Sequence, residues 1–169
     1  PCRAIAFASD RTGRPAMNVL DLARPELRDL KPYSSARMEA GRASIMLNAN
    51  ESPYAPFADD KLALNRYPDP QPAELLQRLA KIYGVRFAQL FVGRGSDEAI
   101  DLLVRAFCRA GLDAVLISPP TFGMYAVAAQ VQGAAVVSVP LRAQEDFALN
   151  VPAMLDALAA NPIKIIFVC

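Results

Sequence analysis

The chain has 169 residues, of which 53% are hydrophobic, and its formal net charge is +1. This length and hydrophobic content suit one domain with a core and argue against disorder. The near-neutral charge, without a basic cluster, gives no reason to expect nucleic acid or an anionic membrane as a partner. No apolar run has the length of a transmembrane helix. The chain contains no histidine, which excludes a Ser-His or Cys-His catalytic pair within it.

The three cysteines, Cys2, Cys108 and Cys169, are far apart and odd in number. They predict neither a disulfide framework nor a metal site. A reducing cytoplasm is the simpler interpretation of their environment.

Both ends of the sequence suggest a piece of a longer protein. Residues 1–16 have no hydrophobic period and no apolar centre like that of a signal peptide, whereas Met17 opens a segment that resembles a natural start. We therefore predict that residues 1–16 are a disordered or non-native leader. The chain stops within an apolar run, residues 165–169, that is typical of a buried strand. We expect it to be the front part of a longer protein.

The character of the sequence changes near residue 73. Residues 17–72 are rich in proline and predict an N-terminal arm with loops, including one helical turn at residues 25–28. From residue 73 to 169, helical and strand patterns alternate, which predicts an α/β large domain with a mostly parallel sheet flanked by helices. Predicted helices cover residues 73–83, 97–108, 124–133 and 150–160. Predicted strands cover residues 90–92, 114–118, 135–139 and 163–169, the last buried on both faces.

A glycine turn stands at the start of one predicted helix. Val92 ends an apolar run, Gly93 and Gly95 follow, and Ser96-Asp97-Glu98 opens the helix. Glycines let the backbone turn, and the free N–H groups of a helix N-terminus favour a phosphate. The alternative is an ordinary helix cap by Ser96 or Asp97.

A second candidate feature follows the next strand, in the segment from Ser118 to Tyr125 that contains Phe122. Ligands of open α/β sheets lie beyond the carboxyl ends of the strands. A phosphate site and an aromatic ring at this edge would suit pyridoxal phosphate. The alternative for Phe122 is ordinary core packing.

These residues, together with further motifs in the arm, resemble the histidinol-phosphate aminotransferases, a family of fold-type I pyridoxal-phosphate enzymes of histidine biosynthesis. The resemblance runs from about Met17 to Cys169 and covers the N-terminal portion of the family's pattern. The motifs that carry it are Lys31-Pro32-Tyr33, Leu47 to Pro53, Arg66 to Gln71, Gly95 to Asp101 and Pro119 to Tyr125.

The resemblance implies a role for each matching residue. Ser96 and Asp97, with Glu98 beside them, would hold the phosphate of pyridoxal 5'-phosphate, and Phe122 would stack on its ring. Tyr67 of a second subunit would reach that phosphate, so the resemblance implies a homodimer. Tyr33, Asn48 and Asn50 would line the substrate side. A tyrosine that packs against a proline-rich arm is the structural alternative for Tyr33 and Tyr67.

The resemblance also implies what the 169 residues lack. The family's Schiff-base lysine would lie beyond Cys169, and none of Lys31, Lys61, Lys81 and Lys164 matches its motif. The parent protein would transfer the amino group of glutamate to imidazole acetol phosphate, giving histidinol phosphate and 2-oxoglutarate. The chain by itself would be inactive and contain no catalytic residue.

Three alternatives remain open at this point. A threonine-phosphate decarboxylase or an aromatic aminotransferase would share the fold. A dinucleotide-binding domain is a different class, but the turn lacks the third glycine of that motif. A non-catalytic folding or dimerisation fragment is the third.

Overall fold

A computed structural model describes residues 19–31, 33, 49–56 and 63–169. They fall into two compact units, one with residues 19–30 and 93–169 and the other within residues 31–92. The predicted leader at residues 1–16 lies outside the described residues. Among the helices of the described ranges, none combines the length and the apolar character needed to cross a membrane.

Among the described residues, most of the regular secondary structure lies after residue 72, as the sequence predicts. The described α-helices are α1 Pro25–Arg28, α2 Ala73–Tyr83, α3 Ser96–Phe107, α4 Met124–Gln132 and α5 Val151–Ala160. The strands are β1 Ala114–Ile117, β2 Ala135–Ser138 and β3 Ile163–Phe167. Short 3-10 helices occur at Val19–Leu22, Phe87–Gln89 and Ala143–Glu145.

The first unit contains a three-stranded parallel sheet in the order β2-β1-β3. Ala114 of β1 pairs with Ala135 of β2 on one side and with Ile163 of β3 on the other. The next pair toward β3 is Val115 with Ile165, so β3 has one extra residue at this point. The central strand β1 is buried along its whole length.

Helices cover both faces of this sheet. Successive side chains of a strand point to opposite faces, and β1 shows this directly. Val115 belongs to a core with Val104 of α3 and Ala129 of α4. Leu116 belongs to a separate core with Met154 of α5. The predicted α/β class with a parallel sheet between helices is therefore confirmed.

The helices that cover the first face point their N-termini toward the carboxyl edge of the sheet. Gln132 Nε2 donates to the carbonyl of Cys108 at 3.0 Å, and the Gly111 N–H donates to the carbonyl of Gly133 at 2.8 Å. These bonds join the carboxyl ends of α3 and α4 just before β1 and β2 begin. Both helices run back along the sheet from there, so they start near the ends of the strands.

The strand predicted at residues 90–92 is wrong, because these residues form no strand in the described chain. The side chain of Gln71 makes the bonds that a neighbouring strand would make. Its Nε2 donates to the carbonyl of Val92 at 2.8 Å, and its Oε1 accepts from the Val92 N–H at 2.9 Å. An apolar run shows that a segment is extended or buried, but not whether a strand or a side chain satisfies its backbone.

The prediction that β3 is buried on both faces is also wrong. Lys164 and Ile166 are exposed, whereas Phe167 is buried. Within the described residues β3 pairs with β1 alone. The exposed side chains alternate with the more buried ones, so one face of β3 is open to solvent in the described chain.

A buried carboxylate anchors the turn between α3 and β1. The side chain of Asp113 is 2% exposed, and its Oδ2 accepts from the Arg109 N–H at 2.8 Å and from Arg109 Nε at 3.0 Å. Burial by itself would raise the pKa of Asp113. The hydrogen bonds and the charge of Arg109 outweigh that effect and hold the pKa below its usual range.

We predict that Asp113→Ala lowers the free energy of unfolding at neutral pH by about 1–3 kcal/mol, because the partly buried Arg109 N–H loses its acceptor. A depressed pKa in the folded state gives stability that is present above the unfolded pKa and lost as the pH falls. The difference from wild type should therefore shrink below about pH 4. Denaturant titrations at several pH values measure both effects.

Asp101→Ala is the matched control for this prediction. Asp101 also pairs with an arginine four residues later, Arg105, but both side chains are substantially exposed. Its replacement should have a clearly smaller effect. Equal losses in the two variants would contradict an anchoring role for Asp113.

Candidate functional site

The first unit presents an uncapped helix N-terminus. α3 begins at Ser96, one residue earlier than predicted, and no side chain caps it. The preceding Gly95 has φ 86° and ψ −178°, a region that glycine alone adopts readily. A Cβ at this position would meet no atom within 4 Å, so the turn is open on that side. The N–H groups of the first turn lack partners inside the helix and are available to an anion.

The carboxylate of Glu98 is occupied by Arg94. Glu98 Oε2 accepts from the Arg94 N–H at 2.6 Å, and Oε1 accepts from Arg94 Nη2 at 2.8 Å. The side-chain hydrogen bond from Arg94 lowers the pKa of Glu98. Of the two acidic residues in the first turn, Asp97 and Glu98, the second is therefore matched by an arginine, and an anion there would not face an unpaired Glu98 carboxylate.

Two buried hydroxyl groups follow β1 at the same edge of the sheet. Ser118 is 5% exposed. The hydroxyl oxygens of Ser118 and Thr121 are buried, and neither has a hydrogen-bond partner among the described residues. A buried hydroxyl without a partner is costly. These two groups are accordingly able to serve a ligand or a water molecule.

Phe122 is not a core residue, because 44% of it is exposed. Its ring meets Tyr125 edge-on, with centroids 5.7 Å apart and planes at 87°. Tyr125 in turn stacks on Phe167 of β3 at 4.4 Å. The packed pair of Tyr125 and Phe167 supports one edge of the Phe122 ring while part of it remains open to a flat ligand.

Four of the predicted cofactor-binding residues lie in the first unit, namely Ser96, Asp97, Glu98 and Phe122. α3 starts, and β1 ends, at the carboxyl edge of the sheet, where ligands of open α/β sheets bind. Exposed backbone donors, the hydroxyl of Ser96 and a half-exposed ring are the groups that a phosphate attached to an aromatic ring requires.

The second unit holds the other predicted residues that the structure describes. Tyr33 is 87% exposed and Tyr67 is 62% exposed. Asn50 is exposed and has a positive φ of 52°. Asn48 lies outside the described residues.

Glu51 links two of the motifs in this unit. Its side chain is 1% exposed and forms an ion pair with Arg66 Nη1 at 3.0 Å. The other carboxylate oxygen accepts from the N–H of Tyr67 at 2.8 Å. Glu51 lies in the motif from Leu47 to Pro53, but the sequence did not reveal this contact.

Sequence reasoning missed three polar residues that the structure makes prominent. Gln71 binds the backbone of Val92, and Ser118 and Thr121 have unpaired hydroxyls within the described chain. Polar residues directly after an apolar strand are a usable signal for the last two. A side chain that replaces a strand, as Gln71 does, leaves no such signal.

The described residues contain no metal site, and their buried thiol is not reactive. No group of three acidic, cysteine or histidine residues among them could hold a metal ion. Burial, with the charge of Asp113, raises the pKa of the Cys108 thiol to about 11. Cys108 is therefore a protonated core residue at neutral pH and not a nucleophile.

The fold and the site define a parallel α/β domain with a candidate anion-binding turn, and comparison with known proteins gives its family. The pattern of the family described as "Aminotransferase class I and II" matches residues 35–169. This chain belongs to that family.

Several curated proteins similar to this chain are named histidinol-phosphate aminotransferases. The protein from Xylella fastidiosa (strain 9a5c) is 51% identical over 152 residues, which cover 89% of this chain and 42% of that protein. The protein from Xanthomonas euvesicatoria pv. vesicatoria (strain 85-10) is 50% identical over 155 residues, which cover 91% of this chain and 43% of that protein. The protein from Serratia proteamaculans (strain 568) is 47% identical over a region that covers 90% of this chain and 41% of that protein. The predicted resemblance is confirmed, and the chain spans about two-fifths of the length of these relatives.

A solved structure supports the fold. The α-aminoadipate aminotransferase LysN from Thermus thermophilus, in its complex with N-(5'-phosphopyridoxyl)-L-leucine, aligns with a TM-score of 0.51 and 22% identity. The alignment covers 59% of this chain and 25% of LysN. The predicted fold-type I aminotransferase large domain is confirmed.

We predict that a disulfide reagent at pH 8 labels Cys169 quickly and Cys108 roughly a hundredfold more slowly, because a buried thiol with a raised pKa is rarely a thiolate. Cys108 is fully buried and Cys169 is exposed. Peptide mapping of the labelled protein measures each site, and denaturation should abolish the difference. Equal rates in the folded protein would show that Cys108 is accessible.

Proposed function

We propose that this chain is part of a pyridoxal-phosphate-dependent histidinol-phosphate transaminase. The whole protein would transfer the amino group of glutamate to imidazole acetol phosphate, and the products would be histidinol phosphate and 2-oxoglutarate. The observation that carries the proposal is the 47–51% identity to relatives of that name over about 90% of this chain. The geometry of the first unit adds independent support for an anion attached to an aromatic ring.

The groups at the sheet edge fit pyridoxal 5'-phosphate. The N–H groups of Ser96, Asp97 and Glu98 would hold the phosphate, together with the Ser96 hydroxyl. The open turn at Gly95 leaves room for it. Phe122 would stack on the pyridine ring, and the unpaired hydroxyls that follow β1 are polar groups that a bound molecule could satisfy.

The residues of this chain would bind and orient rather than react. When bound, the cofactor would supply an electron sink for the pair of electrons released at the substrate α-carbon. Phe122 would fix the ring plane. The helix dipole of α3 would stabilise the phosphate dianion and hold the cofactor in one place. The Schiff-base lysine, which would move the proton, lies outside the 169 residues in this proposal.

The remaining assignments concern the arm and the assembly. Tyr33, Asn48 and Asn50 would line the substrate side, and Tyr67 would reach the cofactor phosphate of a second subunit in a homodimer. The exposure of Tyr33 and Tyr67 leaves both rings accessible for this. Residues 17–72 would be the arm and residues 73–169 the front of the large domain. The free thiols of the described cysteines support a cytoplasmic location.

The function is tested by assaying the full-length protein with glutamate and imidazole acetol phosphate, with threonine phosphate as the competing substrate. We expect transamination of the imidazole substrate and no decarboxylation of threonine phosphate. The 169-residue chain alone should be inactive and should form no stoichiometric pyridoxyl-lysine after borohydride reduction. Activity of the full-length protein toward threonine phosphate only would identify the other enzyme of this fold.

The phosphate site is tested by titrating apoenzyme variants of the full-length protein with pyridoxal phosphate. Ser96→Ala should weaken binding by about tenfold, since it removes one donor to a charged acceptor. Gly95→Val should do more harm, because a β-branched residue resists the backbone angles at this turn.

Gly84→Val is the matched control for the glycine substitution. Gly84 also has a positive φ, 64°, and open space around it, and it ends α2. This variant should lose stability but keep its cofactor affinity. Unchanged affinity in both Ser96→Ala and Gly95→Val would remove the phosphate site and leave Gly95 and Ser96 as an ordinary helix start.

A further inference from the structure

One buried carboxylate joins two irregular segments of the second unit. The first segment, residues 49–52, carries Asn50, and the second, residues 65–67, carries Tyr67. Neither segment belongs to a helix or a strand. Side-chain contacts therefore contribute to fixing their geometry.

Both carboxylate oxygens of Glu51, in the first segment, accept hydrogen bonds from residues of the second segment. Oε2 accepts from Arg66 Nη1 at 3.0 Å, and Oε1 accepts from the N–H of Tyr67 at 2.8 Å. A third bond runs beside them, from Asn65 Nδ2 to the carbonyl of Ser52 at 2.8 Å. The Glu51 side chain is 1% exposed, so its charge depends on these partners.

The first segment has a backbone conformation that needs such support. Ala49 and Asn50 have φ values of 61° and 52°, both in the left-handed region. Asparagine tolerates this region, but alanine does so poorly. Two successive residues persist there only when their surroundings hold them. Glu51 follows directly and is the buried, bonded residue of the segment.

We propose that Glu51 is a positioning residue that locks the Asn50 segment to the Tyr67 segment. Substrate-side and cofactor-side groups of the arm would then be set as one piece. This inference rests on the proposed function, because it takes its meaning from the roles proposed there for Asn50 and Tyr67. In this proposal Glu51 acts through these two segments and not by contact with substrate or cofactor.

This inference and the proposed role of Tyr67 involve different atoms of that residue, so they can be tested separately. Glu51 bonds to the backbone N–H, which every residue except proline has. Tyr67→Phe therefore keeps the Glu51 contact and removes only the phenol hydroxyl. Glu51→Gln keeps the shape and one acceptor oxygen but removes the charge that pairs with Arg66.

The test is a titration of the full-length apoenzyme with pyridoxal phosphate, well below the melting temperature of each variant. Glu51→Gln should raise the dissociation constant about tenfold, since a displaced positioning group loses its bond to the ligand. Asn65→Ala, a milder change that keeps the ion pair, should raise it about threefold. If Glu51→Gln does not fold, the dissociation constant of Asn65→Ala is used to test the inference.

Glu74→Gln is the matched control. Glu74 pairs with Arg78 at 2.6 Å, but both side chains are about three-quarters exposed. This variant should bind the cofactor as wild type does. Tyr67→Phe should bind it more weakly if the proposed role of the tyrosine is right.

The outcomes separate the two ideas. Weaker binding in Tyr67→Phe with wild-type binding in both Glu51→Gln and Asn65→Ala overturns the inference and leaves the proposed function standing. A lower melting temperature without a change in dissociation constant overturns it too, because Glu51 would then be merely structural. Wild-type binding in Tyr67→Phe overturns the role of Tyr67 and this inference with it. The inference is supported if Glu51→Gln, Asn65→Ala and Tyr67→Phe all bind pyridoxal phosphate more weakly while the control Glu74→Gln binds it as wild type does.

Discussion

The burial of β1 between two helical layers is the constraint on which the first unit depends. Four consecutive apolar residues, Ala114–Ile117, can all be buried only if the strand is central and both faces are covered. α3 and α4 cover one face, and α5 covers the other. Because α3 packs along the sheet, its first turn comes to the edge where β1 ends. The candidate anion site is thus a consequence of core packing.

The pairing of Glu98 with Arg94 reduces the repulsion that an anion would meet at the N-terminus of α3. An acidic first turn favours the helix dipole but would repel a phosphate. The Glu98 carboxylate is bound by Arg94, through both its backbone and its side chain. Asp113 at the opposite end of α3 is held by Arg109 in a similar way. Each carboxylate stabilises a turn locally, and the N–H groups of the first helical turn are left for a ligand.

The second unit uses side chains where the first unit uses a sheet. Its irregular segments obtain backbone hydrogen bonds from Gln71 and Glu51, each of which bridges residues more than a dozen positions away. Such bonds define a geometry with few residues. They also make that geometry sensitive to a single substitution, since each bond depends on one side chain.

The sequence by itself determined the helices and strands from residue 96 onward, because their apolar periods are strong and their ends are marked by glycine, proline and asparagine. It also determined the family, through motifs in a fixed order. It did not show that Val92 bonds to the side chain of Gln71, nor that β3 is half open, because both depend on what packs beside the segment. Only the tertiary structure joined Glu51 to Arg66 and Tyr67 and exposed part of the Phe122 ring. Contacts between residues distant in sequence are decided by packing in three dimensions, and no local pattern records them.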